Sequence, residues 1–478
     1  MISFGARLGY GLGGAMFSIK EAAYSAFVIL FYTQVLGLSG TGAGVALAVA
    51  VVFDALSDPV IGAWSDRLHG RWGRRHPFMV AGTLPMGLGF IGLFLVPDVV
   101  VASQALLALW LAFWSIWIRT TLSVFAIPHL ALSAEITSNY RERSSILGAR
   151  MFFVFLFTVL IPASALVLLF DQYGDIDGRF QRDNYPLYGL LSCIGAWGVG
   201  LLTIWSTRRY ATPHAGADPA GATPSIRGLR DFVTDFLGTL RIENFRQLLA
   251  FDVAASVSYG VLIATHMLAS VYFWELSSRD IALILAIPSL IGVSGAMFAI
   301  HWLGSRVAKH TILQLTCAMM IIDGVWPYAA RLAGLLPENG HPAVFWSLFL
   351  QMLLWMFFFI LRGIASQSLV ADIADENELA NGRRQEGALF AATLFAQKLA
   401  SALGPLYAGM VLDMVGLQRG MAPGTIPQPT LDAFAIYLAL GILTPLLVAM
   451  YFSFRVSLSE ERLQEIQAAL GRRDADPG

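Results

Sequence analysis

Along this chain apolar residues gather in long runs separated by short polar breaks. A bilayer core about 30 Å thick needs about 20 helical residues to cross it, so runs of that length read as membrane spans. Twelve emerge, at 8–36, 40–65, 77–97, 101–131, 145–170 and 187–207, then at 246–274, 281–303, 310–334, 343–371, 387–416 and 431–454. The pattern predicts an all-α membrane protein of twelve transmembrane helices in two pseudo-symmetric six-helix bundles, residues 1–207 and 246–454. Two such bundles would rock about a site near the midplane. The break between them, 208–245, holds ATPHAGADPAGATPS, too rich in Ala, Pro and Gly to bury a core, and reads as a flexible cytoplasmic linker. Its second part, Ile226 to Phe245, is read as an amphipathic surface helix, and residues 455–478 as a polar cytoplasmic tail.

Basic residues in the loops set the orientation. With the N-terminus inside, the inner loops carry sixteen and the outer loops five, which predicts both termini in the cytoplasm of a cell whose inner membrane the chain crosses. The first apolar run holds Lys20 and Glu21 and lacks a cleavage site, so it reads as a span rather than a signal peptide. The repeat between halves is weak; its clearest echo pairs Gly62-x-x-x-Asp66-Arg67 with Gly304-Ser305-Arg306.

Composition narrows the classes. Hydrophobic residues are 56% and charged ones 13% of 478, with a mean hydropathy of +0.65, where soluble domains have about half and a quarter. A net charge of -1 offers no basic surface for nucleic acid. Cys193 and Cys317 lie inside apolar runs without metal-ligand spacing and read as inert buried thiols. No phosphate-binding Gly-Lys-Ser/Thr loop and no nucleophile–base constellation occurs, so the chain reads as a gradient-driven carrier and not an enzyme, with no cofactor beyond a coupling ion.

The loop Gly62 to Pro77, GAWSDRLHGRWGRRHP, sets a small residue, an acid one turn later and then clustered arginines. Gly62 lets a neighbouring helix come close. Asp66, at a helix end, is placed to accept bonds from Arg67, Arg74 or Arg75 and so latch the cytoplasmic side in one state. Just upstream, VVFDALSDPVIG sets Asp54 and Asp58 four residues apart on one face of the second span. A carboxylate in hydrocarbon costs several kcal/mol unless it is paired, protonated or coordinating. Two on one face point to a captured Na⁺ or H⁺, or else to pairing with Arg or Lys of neighbouring helices.

The small–acid–basic loop resembles the signature of the major facilitator superfamily between spans two and three. Together, YGLG, FYTQVLGLS, FDALSDPVIGAWSDR, RWGRRHPF, AIPHLALSAEIT, YRERSSILGAR and DIADENE resemble the glycoside–pentoside–hexuronide:cation symporters, the family of the melibiose permease. The match is densest over Tyr10 to Arg150 and Asp372 to Lys398. It implies the major facilitator fold, with Asp54 and Asp58 as cation-site acids and Ser57 and Ser123 as oxygen-bearing neighbours. Arg150 and Lys398 fit basic positions of the family. Ser18 and Ala126 stand where the resemblance implies acids, and Leu122 and Leu130 where it implies aromatics, which departs from a galactoside site and from a three-acid Na⁺ site.

Other charges in the spans need partners. Lys20 and Glu21 are adjacent, about 100° apart around a helix, so each is expected to pair elsewhere. Arg119 lies deep in span four and Arg362 nearer the inner part of span ten. Lys20, Glu21, Tyr24, Arg119, Arg150, Gln397 and Lys398 are the expected substrate-binding set, with Lys398 also able to neutralise Asp54 or Asp58 when no cation is bound. Trp114, Trp117, Tyr259 and Trp355 are further candidates to line the cavity, while His129 and His266 read as core histidines. DIADENELANGRR, taken as the loop between spans ten and eleven, presents Asp372, Asp375 and Glu376 as gate partners for Arg141, Arg143 or Arg150. The reading is a cation-coupled symporter of a sugar or glycoside, acting as a monomer in the lipid bilayer. Its rivals are a carrier of a lysolipid or other amphipath on the same fold, and a membrane sensor that does not transport.

Overall fold

The computed structural model describes residues 3–65, 72–137, 139–173, 176–210, 236–303, 306–381, 385–417 and 419–456, together with 234, 463, 465, 466, 468 and 469. Twelve helices are long and apolar enough to cross a membrane: α1 (Phe4–Val35), α2 (Gly40–Ser65), α3 (His76–Phe94), α4 (Gln104–Ile136), α5 (Glu142–Leu168), α6 (Asn184–Tyr210), α7 (Glu243–Phe273), α8 (Ser278–Leu303), α9 (Lys309–Leu332), α10 (Pro342–Leu379), α11 (Glu386–Val415) and α12 (Gln428–Ser453). The shortest, α3, has 19 residues, about 28 Å at 1.5 Å per residue, enough for the hydrocarbon core. Among the described residues the only strands are β1 (Gln172–Tyr173) and β2 (Ile176–Asp177), a two-strand hairpin.

The expected spans are recovered, with one correction. Helix runs from Pro342 to Asn381 without a break, so Asp372, Asp375 and Glu376 stand on the last turns of α10 rather than in a loop. The segment is charged, but it has no Gly or Pro to break a helix, and its Ala, Glu and Leu residues keep the helix going once it leaves hydrocarbon. The second part of the expected linker helix lies mostly outside the described residues.

Contacts divide the chain into two compact units: Met1–Arg230 with Ala264–Ala286 and Pro405–Pro427, and Asp231–Ile263 with Ile287–Gly404 and Gln428–Gly478. In the first, α3 packs on α4 and α6, α2 on α4, and α1 on α5 and α6. Val49, Phe53, Leu56 and Val60 leave an apolar stripe of α2 exposed, while Ala50, Asp54 and Ala55 are buried on another face. An apolar exposed face is what a helix turned to lipid requires. In the second unit α9 packs on α10 and α12.

The C-terminal ends of α1 and α7, both in the first unit, are built alike. Each closes on a π-helical stretch, Phe31–Val35 and Ala269–Phe273. The Leu36 and Leu38 amides then donate to the Phe31 and Tyr32 carbonyls, and the Trp274 and Leu276 amides to those of Ala269 and Ser270. Both turns pass through a positive φ, 85° at Gly37 and 49° at Glu275. Both restart on a serine: Ser39 Oγ accepts the Gly42 N–H and Ser277 Oγ the Asp280 N–H. Corresponding residues of the two corners stand 238 apart, the separation of Gln34 and Tyr272, whose hydroxyl donates to Gln34 Oε1 at 3.0 Å. The repeat is far plainer here than at Asp66-Arg67 and Gly304-Ser305, which lie outside the described residues.

The same end of the first unit is tied together by polar bonds. Asp413 of α11 accepts the Gly40 N–H on Oδ1 (2.8 Å) and the Thr41 N–H on Oδ2 (2.7 Å), capping the start of α2. Gly40, Gly44 and Gly409 let these helices meet backbone to backbone; a Cβ on Gly44 would stand 2.6 Å from the Pro405 carbonyl oxygen. Arg179 donates to the Leu276 carbonyl at 2.9 Å, and Arg279 pairs with Asp171 at 2.8 Å.

Candidate cation and substrate site

Asp54 lies midway along α2 with 5% of its surface exposed. Its Oδ1 accepts the Ser123 hydroxyl of α4 at 3.0 Å. Its Oδ2 faces Arg119 Nη1, one turn earlier on α4, at 3.6 Å. The Arg119 guanidinium in turn lies over the Tyr24 ring of α1, 4.9 Å from its centre. Asp58 stands one turn beyond Asp54 and is half-buried. Ser57 donates to the Asp54 carbonyl at 3.1 Å. Pro59 inside α2 has no N–H to offer, so the Ala55 carbonyl loses its helical donor beside the two acids.

Lys20 and Glu21 correct the expectation of separate partners: Lys20 Nζ meets Glu21 Oε2 at 2.6 Å, both side chains largely buried. Adjacent Cα–Cβ bonds do diverge, but the long lysine stem and the glutamate arm sweep around the helix far enough to meet. The pair lies just before the first π-helical stretch of α1, Ala23–Val28, and π-bulges are frequent where a helix carries function. Lys20 also sits over the Phe17 ring at 4.5 Å. Ser18 donates to the Val154 carbonyl and accepts from Thr158, a packing role between α1 and α5. Arg150 lies along the same seam against Gly14, half-buried, and has no acidic partner among the described residues.

Thus Lys20, Glu21, Tyr24, Arg119, Asp54, Ser57, Ser123 and Asp58 form one charged cluster on α1, α2 and α4. The other expected aromatics pack elsewhere. Trp117 donates to the Pro85 carbonyl at 2.8 Å, Tyr259 stacks on Phe359 and Trp355 is fully buried. His129 bonds the Tyr10 carbonyl at 2.9 Å and stacks on the Tyr10 ring, as a core histidine does.

The expected gate residues have partners the sequence did not indicate. Arg74 and Arg75 both reach Glu135 Oε1 in the last turn of α4, at 2.9 and 3.0 Å, and Arg75 also donates to Ser65 at 2.6 Å. Asp66 and Arg67 lie outside the described residues, as does the side chain of Arg141, while Arg143 is exposed. In the second unit Asp372 pairs with Lys309 at 2.7 Å, and Glu376 accepts the Asn244 amide at 2.9 Å. There too Arg362 Nη1 meets Asp252 of α7 at 3.1 Å, Ser366 donates to the same carboxylate at 2.6 Å, and Gln397 also bonds it. Lys398 follows Gln397 on α11. Asp252 and Asp323, both buried in spans, escaped the sequence reading, although the rule that drew attention to Asp54, charge inside an apolar run, applies to both.

The model of the MFS/sugar transport protein family matches residues 9–460. The chain belongs to that family. The transporter is similar to the inner membrane symporter YicJ of Escherichia coli (strain K12), 25% identical over 87% of this chain and 84% of that one. It is also similar to the isoprimeverose transporter of Lactiplantibacillus pentosus, 21% identical over 87% and 81%. Among solved structures the D-xylose-proton symporter aligns with a TM-score of 0.63 at 15% identity, over 93% of this chain and 97% of that one. The transporter therefore has the major facilitator fold, and its family and fold are those of carriers rather than enzymes.

Proposed function

We propose that the transporter is a cation-coupled symporter of a sugar or glycoside in the cell inner membrane, with both termini cytoplasmic, working by alternating access. The observation that carries this is the acid pair Asp54 and Asp58, set a turn apart in an apolar span beside Ser57, Ser123 and the freed Ala55 carbonyl. Charge of this kind inside hydrocarbon is kept for capture and release of an ion. The symporter among its relatives and the description of its family agree with that reading. In the first unit Lys20, Glu21, Tyr24, Arg119 and Arg150 are substrate ligands, since hydroxyl-rich ligands need paired donors and acceptors beside an aromatic face, and in the second unit Gln397 and Lys398 are substrate ligands as well. Arg74 and Arg75 with Glu135 in the first unit, and Lys309, Asp372, Asp375 and Glu376 in the second, each act as a cytoplasmic latch within their own unit.

The test is a panel of radiolabelled sugars and glycosides offered to cells expressing the chain, with Na⁺, Li⁺ or a proton gradient imposed in turn. The expected result is gradient-driven accumulation of at least one of them, lost in Asp54→Asn while downhill exchange persists. Accumulation that survives Asp54→Asn would defeat the coupling scheme.

A further inference from the structure

Within that reading, on which this inference rests for its orientation, the two like corners at the ends of α1 and α7 face away from the cytoplasm. The chain that leaves α11 runs over both of them. The Leu417 carbonyl accepts Gln34 Nε2 at 3.5 Å, and Gln34 in turn accepts Tyr272 on Oε1. Arg419 donates from Nη1 to the Leu36 carbonyl at 3.4 Å, and its stem lies against Gly37. Farther on, a Cβ on Gly424 would stand 3.9 Å from the Glu275 carboxylate. Gly37 and Glu275 are the positive-φ residues of the two corners, so one loop touches the bend of each copy.

We infer that Arg419–Ile426 is a strap across the outer end of the transporter, latched by Arg419 on the Leu36 carbonyl, and that it lifts before this end opens. Leu417 and Ile426 are buried and pin its two ends, while Arg419 to Thr425 are exposed or half-buried. Lifting the middle part therefore uncovers little apolar surface. Polar contacts hold it down, and segments held in that way open at low free energy. Gly420 and Gly424 supply the bends, with φ of 86° and 79°, a conformation that costs an L side chain about 1–2 kcal/mol and glycine almost nothing. A Cβ on Gly420 would meet open space, so backbone conformation rather than crowding calls for glycine there. The helices beneath are fixed more firmly, because Asp413 of α11 caps α2 and Gly409 meets Gly40 backbone to backbone. Access from outside requires α1 and α2 to part from the ends of α7 and α11 at this level. While Arg419 ties the chain beyond α11 to the α1 corner, they stay together.

The test uses the full chain, in lipid nanodiscs and in intact cells. A Cβ on Gly37 would stand 3.6 Å from the Arg419 Cβ, within the span of about 3.5–4.5 Å that a disulfide bridges. Oxidation of Gly37→Cys/Arg419→Cys should therefore lock the strap, while the native Cys193 and Cys317 are buried. Hydrogen exchange in peptides covering Leu36 to Thr41, followed by mass spectrometry, reports parting of the corner whatever the substrate is. The lock should slow that exchange at least about tenfold and stop uptake of a sugar found in the panel, and reductant should restore both. Arg419→Ala should speed the exchange roughly fivefold, and Arg419→Lys, which keeps a single donor, should stay within about twofold of wild type. An oxidised pair that exchanges or transports like its reduced form overturns the inference, as does a pair that forms no disulfide or an Arg419→Ala that exchanges at the wild-type rate. Should the pair not fold, the two Arg419 variants decide. Labelling of Thr425→Cys by an impermeant maleimide in inside-out vesicles but not in intact cells overturns the strap as an outer device. Wild type that takes up no sugar in the panel sinks the symport reading alone, since the exchange rates still judge the strap.

Discussion

Removing Asp252 from the second unit should destabilise the transporter more than any single loss at its exposed surfaces. The carboxylate is fully buried, holds Arg362 at 3.1 Å and accepts Ser366 at 2.6 Å, and Arg362 lies between the rings of Phe251 and Phe359. Asp252→Ala leaves the guanidinium in an apolar pocket without this counter-charge, a loss of about 3–5 kcal/mol. Even about 3 kcal/mol is more than a hundredfold in the ratio of folded to unfolded protein. Arg362→Met alone strands the carboxylate and should cost a similar amount. Replacing both, Asp252→Leu with Arg362→Met, removes the desolvated charges together and should recover most of the loss. The assay is equilibrium unfolding in mild detergent titrated with SDS, read by tryptophan fluorescence, on wild type, both single variants and the double. A single variant within about 1 kcal/mol of wild type, or a double variant whose loss is the sum of the singles, refutes the reasoning, because neither agrees with a buried pair whose members depend on each other.

Two further outcomes follow from the doubled corner and its cap. Asp413→Ala removes two bonds from an exposed carboxylate to the start of α2, a cap worth about 0.5–2 kcal/mol before screening by solvent. Alkylation of a cysteine placed at buried Ala43 should speed up by roughly fivefold, and unchanged labelling would show that the cap does not hold this end shut. Glu275→Gly should raise the thermal unfolding temperature, since relief of its positive φ is worth about 0.5–1 kcal/mol after the entropy of glycine is counted. Equal or lower stability would mean that the Glu275 side chain contributes more than its backbone costs.

The twelve spans were legible because hydrocarbon imposes one rule on every residue that meets it, and that rule leaves its mark on each run. It stops applying where a helix leaves the bilayer, so the apolar run ends at 371 while the helix continues to Asn381. The acid pair of α2 was legible for the same reason. Its partners were not: Arg119 is 65 residues from Asp54 and Glu135 is 60 from Arg75. Which of several cations meets a given acid is fixed by how non-adjacent helices pack, and no local pattern records it. Lys20 and Glu21 are the opposite case: their backbone positions diverge around the helix, and only the reach of two long side chains brings them together.

Tyr272 and Gln34 occupy the same place in two copies of one corner, and they touch. Where a position meets its own twin across a two-fold axis, identical chains must put the same side chain on both sides, and that side chain has to suit itself. A single polypeptide holding both copies is released from this requirement. Here one copy has become the donor, a phenol hydroxyl, and the other the acceptor, an amide oxygen, a division of roles that an assembly of identical halves has no means of encoding.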